Sequence, residues 1–436
     1  MKYNSALFES LFLEPRKNGL TRPKSVRGVG TYMVNMGELF QHRRLQAIEM
    51  DRVPLVDREA SFVLFKGDLL FARQSLVFDG AGRCSIFLGH IEPVTFESHV
   101  IRCRLNQVTA SPLFYFYFFE SPQGKSSITS IVEQGAGQAG ICGSDLSKLR
   151  VPHPPLSIQT GIASLLDALD QKIELLNSQS SAAENLTRTI FESWFVDFDP
   201  VRAKAEGREP EGMDTATAAL FPDHLSSSSS GILPFGWHIE RIGDVALINR
   251  NTVGRDYPHR RIIYIDISSV RQGRIEFQDE IERSNAPSRA KRVVTDGDII
   301  WSCVRPNLRS YAYIAHPAEN TVVSTGFAVL SATKVPSAYL YLHVTTDKFV
   351  EFLSSRADGA AYPAVRPEIF QSAGIVVPPK AILSAFSDLV SPVLLQIGLN
   401  ERRARTLAQI RNTLLPRLIS GKLCIPDAEK TVGELL

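Results

Sequence analysis

The 436-residue sequence lacks the short motifs that identify most nucleotide-handling and hydrolytic enzymes. No G-x-x-x-x-G-K-[ST] phosphate loop occurs, and Phe119 stands where the first glycine of that loop would precede Gly124-Lys125-Ser126. HExxH, GxSxG and GxGxxG are absent, as are the Asn/Asp-Pro-Pro-aromatic motif of adenine methyltransferases and a nuclease-type carboxylate cluster followed by Glu-x-Lys. These absences predict a chain with no catalytic site of its own.

Cysteine is scarce as well. The five cysteines, Cys84, Cys103, Cys142, Cys303 and Cys424, are scattered without a CxxC pair, which argues against a disulfide framework and a structural zinc site. The histidines occur singly, without the spacing of metal ligands. The N-terminal sequence lacks a signal peptide, and no continuous apolar run approaches the roughly 18 residues of a membrane span. We therefore expect a reduced, cytoplasmic protein with no metal and no membrane partner.

The strongest periodic signal lies between Pro155 and Phe195. Apolar residues recur there at spacings of three and four, which predicts one long amphipathic helix. At a rise of about 1.5 Å per residue, such a helix would extend roughly 57 Å, which is more than an ordinary globular domain needs. We expect its apolar stripe to pack against a partner.

That partner is a second copy of the helix, 224 positions further along the same chain. Residues 135–155 before the first helix match residues 359–379 before the second, so the duplicated unit includes the preceding segment. Pro392, Gly398 and Pro416 predict a kink or an early stop in the second copy. The residues expected at the helix-pair or partner-subunit interface are Ile162, Leu165, Leu169, Ile173, Leu186, Ile190, Phe386, Leu389, Val393, Ile397, Ile410 and Leu414.

A mixed, strand-rich module precedes each helix. In both modules a Gly-Asp turn, at 67–68 and 297–298, leads into a short apolar strand. Residues 94–102 match 321–329, and the aromatic run at 113–119, whose counterpart is less aromatic, is interpreted as packed core rather than a base-stacking platform. The predicted organisation is a first module at 1–154 with a loosely ordered basic lead at 1–27, a first helix at 155–200, an unstructured linker at 201–230 containing five serines, a second module at 231–379, a second helix at 380–420 and a tail at 421–436.

Charge is unevenly distributed along the chain. Residues 1–150 carry 18 Lys+Arg against 14 Asp+Glu and residues 231–380 carry 18 against 15, whereas residues 151–200 carry 2 against 7. The weakly basic modules fit contact with a polyanion, with arginine and asparagine reading base edges and other cations holding phosphates, although each residue could equally be a solvated charge or an ion-pair member. The candidate DNA-binding residues are Arg43, Arg44, Arg73, Arg83, Arg260, Arg261, Arg271, Arg274, Lys291, Arg292, Arg305, Asn307 and Arg309.

A known family shares several of these segments. Residues 190–207, IFESWFVDFDPVRAKAEG, closely resemble the end of the central helical region in specificity (S) subunits of type I restriction-modification enzymes. The Leu-Pro-Phe-Gly-Trp sequence at 233–237, the Gly-Asp-apolar-apolar signatures at 67–70 and 297–300, and the segment leading to Gln159 are similar to the same family. The resemblance covers nearly the whole chain.

The resemblance implies an α+β fold: two similar mixed α/β target-recognition domains joined by two long antiparallel helices, a coiled-coil spacer with a pseudo-twofold repeat. Each domain would read one half of a split site in double-stranded DNA, and the helices would set the spacing. Catalysis would belong to partners: two methyltransferase (M) subunits using S-adenosylmethionine, and restriction (R) subunits using ATP and Mg²⁺. Two alternatives stay open, namely a similar scaffold subunit of a related defence or methylation complex, and a stand-alone DNA-modifying enzyme.

Overall fold

The computed structural model describes residues 3–135, 137–228, 231–359 and 362–435. The chain forms two compact units, one made of Met1–Lys172 with Leu407–Leu436 and the other of Ile173–Thr406. We call these the first and second units. The boundary between them falls within both long helices, so each unit contains one module and a segment of each long helix.

The first unit contains the first module, residues 3–154. Its strands are Ser5–Leu7, Lys17–Asn18, Thr31–Val34, Arg44–Gln46, Asp51–Val53, Leu69–Ala72, Gln74–Ser75, Cys84–Gly89, Val94–Phe96, Val100–Cys103, Val132–Gly135, Gln138–Ile141 and Arg150–Pro152. Its α-helices are Met36–Gln41, Pro112–Glu120, Pro122–Thr129 and Gly143–Ser147. The C-terminal helix Ile425–Leu435 also belongs to this unit.

The second unit contains the second module, residues 231–379. Its strands are Leu225–Ser228, Gly231–Pro234, His238–Arg241, Ala246–Ile248, Asn251–Thr252, Arg261–Ile265, Val270–Arg271, Arg274–Ile275, Asp279–Glu282, Ala290–Val293, Ile299–Ser302, Tyr311–Tyr313, Thr321–Ser324, Phe327–Ala332 and Gly374–Val377. Its α-helices are Asp199–Ala205, Thr215–Ala219, Ile242–Val245, Ser337–Val344, Asp347–Ser354 and Pro367–Ser372.

The two modules repeat the same strand pairing. In the first, Leu69–Ala72 lies between Val100–Cys103 and Cys84–Gly89, and in the second, Ile299–Ser302 lies between Phe327–Ala332 and Tyr311–Tyr313. Each module also has one equivalent parallel pair, in which Thr31–Val34 pairs with Val94–Phe96 and Arg261–Ile265 with Thr321–Ser324. The strand before each long helix pairs antiparallel with a strand near the start of its module, Ser5–Leu7 in the first and His238–Arg241 in the second. The predicted internal repeat is therefore confirmed in the fold.

The repeated Gly-Asp turn positions the central strand of each module. Gly67 and Gly297 have φ of +96° and +79°, a region that glycine enters without steric cost. The Asp68 carboxylate accepts the Phe65 amide, 2.8 Å, and the Asp298 carboxylate accepts the Thr295 amide, 2.7 Å. Every residue of the strands that follow is buried, as the apolar runs predict.

The long helices are Leu156–Phe195 and Lys380–Ile419, each of 40 residues, or about 60 Å at 1.5 Å per residue. In the second unit they run antiparallel, because Phe191 packs on Phe386 while Glu184 lies near Ile397 and Glu401. The predicted early stop in the second helix is wrong. Its chain continues through all three of Pro392, Gly398 and Pro416, and Pro392 is on the exposed side, where water can satisfy a freed carbonyl.

Two segments expected to be loose are ordered. The basic lead contributes the strand Ser5–Leu7 and the buried Phe8 and Leu11 to the first module. The interval 201–230 is not an unstructured linker, since it contains the helices and strand named above, and Val201 and Phe221 are buried in the core of the second unit. In the interval 201–230 the error arose because Val201 and Phe221 are separated by a long polar stretch. Positions 229 and 230 of the serine run lie outside the described residues.

The second long helix qualifies the expectation, drawn from the sequence, that no segment is apolar enough to span a membrane. By length and composition alone it could cross a membrane, although a search for unbroken apolar runs misses it. Within the second unit its residues Ile382, Phe386 and Val390 are fully buried in the core. Packing therefore accounts for the apolar character of these three positions, whereas only 28% of the apolar window is buried.

Gly398 marks a close approach between the second long helix and the second module. A Cβ added at this position would lie 2.4 Å from the Cβ of Ala315. We expect Gly398→Val to lower the free energy of unfolding by about 1–3 kcal/mol through overpacking, measured by urea titration. Gly37→Ala is the control, because an added Cβ there meets nothing within 4 Å. Equal stability of Gly398→Val and the unsubstituted chain would contradict the packing described.

Candidate nucleic-acid interface

In the first unit, a buried carboxylate on the first long helix holds the module to both long helices. Asp170 accepts hydrogen bonds from the Tyr117 hydroxyl, 2.7 Å, from Arg411 Nη1, 2.5 Å, and from Arg43. Burial and the adjacent Asp170 raise the pKa of Tyr117, so its hydroxyl remains a donor. Three donors on one buried carboxylate offset the cost of removing its charge from water.

Arg43 and Arg44 are part of this docking contact. Arg43 also pairs with Glu120, 3.0 Å, and Arg44 pairs with Asp167 of the first long helix, 2.5 Å. The side chain of Arg44 is only 5% exposed. The sequence analysis proposed both arginines for DNA, but the structure directs their guanidinium groups to helix carboxylates.

A second docking contact lies within the second unit. Gly273, in the hairpin of Val270–Arg271 and Arg274–Ile275, leaves room for the Glu184 carboxylate of the first long helix, whose oxygens lie 2.8 Å from an added Cβ. Arg274 donates to the Asn177 carbonyl, 2.8 Å, and to Ser181 Oγ. Arg274 is thus also directed at a helix rather than at a free surface.

The first module presents an exposed polar face at the end of its central strands. Arg73 and Arg83 are exposed and lie close together, because the Ala72 amide donates to the Arg83 carbonyl, 2.9 Å. Gln74–Ser75 extends the hairpin of Val132–Gly135 and Gln138–Ile141 to a three-stranded sheet. Three exposed glutamines lie on this sheet, Gln74, Gln134 and Gln138. Glutamine pairs with the adenine edge and arginine with guanine, so this face has the residue types that read base pairs.

The second module has a corresponding face. Arg305 and Arg309 have φ of +50° and +54° and flank a single helical turn, Pro306–Leu308, which presents the exposed Asn307. The Arg305 guanidinium lies 4.6 Å from the centre of the Tyr362 ring, and Arg309 pairs with Asp347, 2.6 Å. Two non-glycine residues at positive φ store backbone strain, which is often found at functional loops.

The remaining candidates lie on or beside the sheet of the second module that contains Arg261–Ile265. Arg260 and Arg261 form exposed pairs with Glu282, and Arg271 pairs with Glu276. Exposed pairs of this kind are weak and can exchange partners with a phosphate. Lys291 is exposed and Arg292 is half-buried on the strand Ala290–Val293.

The predicted helix-interface residues are not placed alike. Leu186 and Leu389 are 58% and 48% exposed, on outward faces of the long helices. Ile162, Leu169, Phe386, Ile410 and Leu414 are buried, and Leu165, Ile173, Ile190, Val393 and Ile397 are half-buried. Some residues of the apolar stripe predicted from the sequence therefore lie outside the surface that is buried between the helices and the modules.

The sequence analysis missed the polar docking residues and the glutamine face, which is the surface of the first module that carries Gln74, Gln134 and Gln138. The acidic character of the first helix was visible, but its carboxylates, such as Asp170, could not be matched to donors. The tyrosines offered a signal, since Tyr115 and Tyr339 donate to the Pro152 and Val376 carbonyls and stand 224 positions apart. This offset of 224 positions differs by one from the offset of 225 at which the sequences of the two aromatic helices, 112–117 and 337–342, match. Among the residues that the structure describes, no group of three His, Cys, Asp or Glu side chains could hold a metal ion.

The Asp170 contact gives a stability prediction. We expect Asp170→Ala to lower the free energy of unfolding by about 3–5 kcal/mol, because it leaves the buried cations without their shared carboxylate. Chemical unfolding followed by circular dichroism would measure it. The control is Asp388→Ala on the exposed side of the second long helix, for which we expect a change within about 0.5 kcal/mol. Similar losses of stability in the two variants would argue against the docking role of Asp170.

Comparisons with known proteins agree with this architecture. Residues 53–185 match the family model of the type I restriction modification DNA specificity domain. The chain is 23% identical over 443 residues to the type I restriction enzyme HindI specificity subunit of Haemophilus influenzae, covering 89% of this chain and 94% of that protein. It is 22% identical over 318 residues to the MjaIX specificity subunit of Methanocaldococcus jannaschii, covering 72% of this chain and 69% of that protein.

A solved structure shares the fold. The crystal structure of the S subunit of a type I restriction-modification system from M. genitalium covers 96% of each chain with a TM-score of 0.57 at 16% identity. The predicted fold class is thereby confirmed. The matches in sequence and fold also confirm the resemblance to type I specificity subunits that the sequence indicated.

Proposed function

From its resemblance to type I specificity subunits, we propose that this chain recognises a bipartite DNA sequence for a restriction-modification complex. The observation that supports this best is the duplication itself: two modules that share their central strand pairing, each with an exposed polar face. Because the loops of those faces differ in sequence, the two half-sites would differ as well. The first module would hold phosphates with Arg73 and Arg83 and read bases with the glutamines of its sheet, and the second would read bases with Arg305 and Asn307.

The long helices would act as the spacer. A helix cannot change its length by small conformational adjustments, so two paired helices of 40 residues make the interval between the half-sites constant. The bases in that interval would need no contacts of their own. Base identity and base spacing would thus depend on different parts of the chain.

Catalysis would belong to partner subunits in the cytoplasm. The chain has no recognisable catalytic motif, and in our proposal two M subunits supply methyl transfer from S-adenosylmethionine while R subunits supply cleavage driven by ATP with Mg²⁺. The exposed Leu186 and Leu389 of the long helices are candidate contacts for such partners.

Mapping methylated adenine across DNA after co-expression with the cognate M subunit tests the proposal. We expect two short defined half-sites separated by a constant number of unspecified bases. Replacing residues 231–379 with another module should change one half-site only. Removing one turn from both long helices at facing positions should change the spacing and leave both half-sites intact. A single continuous site, or methylation by this chain alone, would refute the proposal.

The two arginines proposed to contact DNA in the first module, Arg73 and Arg83, give a quantitative prediction for the salt dependence of binding. We expect Arg73→Ala together with Arg83→Ala to weaken DNA binding and to reduce the slope of log K against log salt by about one unit for each phosphate that is no longer neutralised. Fluorescence anisotropy of the complex with M subunits at several salt concentrations would measure both. Lys430→Ala, an exposed lysine on the C-terminal helix, is the control and should leave the slope unchanged. An unchanged slope in the double variant would remove this face from the interface.

A further inference from the structure

The two modules contact the long helices through equivalent tyrosines, but the surrounding networks differ. Tyr117 and Tyr341 stand 224 positions apart, and each donates to an acidic residue of the first long helix. In the first unit the acceptor is Asp170, which receives two further hydrogen bonds from arginines. In the second unit the acceptor is Glu184, which receives longer bonds from Tyr341 and Arg188, both 3.3 Å.

The second network contains an additional carboxylate, Glu401 of the second long helix. Its Oε1 is buried with no hydrogen-bond partner among the described residues. The nearest cation is Arg405, at 3.7 Å from Oε2, and Arg405 Nη1 donates instead to the Ile275 carbonyl, 2.9 Å. The repeat has no second acid here, because residue 177, which corresponds to 401, is Asn177.

Glu401 faces charged and titratable groups from every element packed around it. A small cavity of about 10 Å³ lies between Glu401, Glu184, Gly273, Tyr313 and Tyr341, with apolar residues of the second long helix completing its wall. The charged groups that act on the carboxyl are Glu184 of the first long helix, Arg405 of its own helix and Arg274 of the hairpin, and Tyr313 and Tyr341 of the module line the same cavity. Arg188 and Tyr311 act in turn on Tyr341, and Arg402 acts on Arg405.

These surroundings favour the neutral acid. Burial, with a smaller contribution from Glu184, raises the pKa of Glu401 to about 7, although Arg405 and Arg274 oppose the shift. Burial raises the pKa of Tyr341 as well, so this hydroxyl does not lose its proton near neutral pH. Within the cluster, Glu401 is therefore the group that titrates near pH 7.

We propose that Glu401 is a positioning residue that seats the second module on the helix pair, and that its proton controls how firmly that module is held. A neutral carboxyl costs less to bury at the cavity than a carboxylate, whose charge would lie beside an oxygen that has no hydrogen-bond partner among the described residues. When the proton leaves, the hairpin 270–275 and the helix Ser337–Val344 separate more readily from the long helices. The first module, held by the satisfied Asp170, does not respond. This inference is independent of the proposed DNA specificity.

The direction of the pH dependence follows from linkage. The folded-state pKa of Glu401 lies above its ordinary value of 4.5, so the folded state binds the proton more tightly than the open state. The stabilisation is fully present below about pH 4.5 and is lost as the pH rises through 7. His343 in the same unit acts in the opposite direction, because burial lowers its pKa to about 4, and its stabilisation is complete only well above pH 6.5. Between pH 6.5 and 8.5 it changes the opening by about twofold in the opposite direction, so the contribution of Glu401 is isolated by a variant that lacks its titrating carboxyl.

Hydrogen–deuterium exchange of the full chain tests the proposal. Exchange at pH 6.5 and 8.5, corrected for the intrinsic rates, would be followed in peptides covering 270–276 and 337–344. Peptides covering 112–120 of the first module are the internal reference. We expect opening of the second-module peptides to increase about twofold between the two pH values, an about fourfold contribution from Glu401 opposed by an about twofold contribution from His343, and the reference to stay constant.

Two variants make the test decisive. In Glu401→Gln, which is neutral at both pH values and similar in shape, we expect the pH response of the second module, its rise in opening, to disappear and only the smaller opposite change from His343 to remain. Glu192→Gln, at an exposed position of the first long helix, should retain the response of the unsubstituted chain. Circular dichroism at pH 6.5 would establish that both variants fold. A response that persists in Glu401→Gln, an equal response in the first module, or no response in the unsubstituted chain would overturn the proposal.

Discussion

The structure depends on hydrogen bonds to the carboxylates that the long helices bury against the modules. An amphipathic helix can pack an apolar stripe on almost any apolar surface, but a carboxylate such as Asp170 can be buried only where donors converge on it. Tyr117 and Arg411 approach Asp170 from the module and from the second long helix. Apolar packing therefore holds these elements together, and the buried carboxylate selects one arrangement among the many that such packing allows.

The same constraint separates arginines by role. In both modules arginines are numerous, and composition alone makes them look like one class of DNA contact. The structure divides them into those directed at helix carboxylates or carbonyls, such as Arg44 and Arg274, and those on exposed faces, such as Arg73. A positive surface and a firm attachment to the helices are thus built from the same residue type within one small module.

Periodicity and repetition made much of the fold predictable from the sequence. The long helices follow from apolar spacing, and the central strands follow from Gly-Asp turns because a turn and an apolar run act locally. The docking contacts were not predictable, because Asp170 and Arg411 are 241 positions apart and no local pattern marks the pair. Order in the segment 201–230 was missed for a similar reason: Val201 and Phe221 are isolated apolar residues whose burial depends on a distant core. The glutamine face was missed because Gln74, Gln134 and Gln138 lie on three separate short strands, and no local pattern shows that these strands pair.

The division of the chain into units has a consequence for how the protein is made. The first unit includes Leu407–Leu436, so Arg411, one of the three donors to Asp170, is synthesised after the whole second module. At a translation rate of roughly 5–20 residues per second, the first module must wait on the order of 10–50 s on the ribosome for that donor. During this interval the Asp170 carboxylate on the first long helix lacks one of its three hydrogen-bond donors. The C-terminal segment is therefore the last part of the first unit to be synthesised. A chain that ended before this segment would have a complete first module without one of the three donors to Asp170.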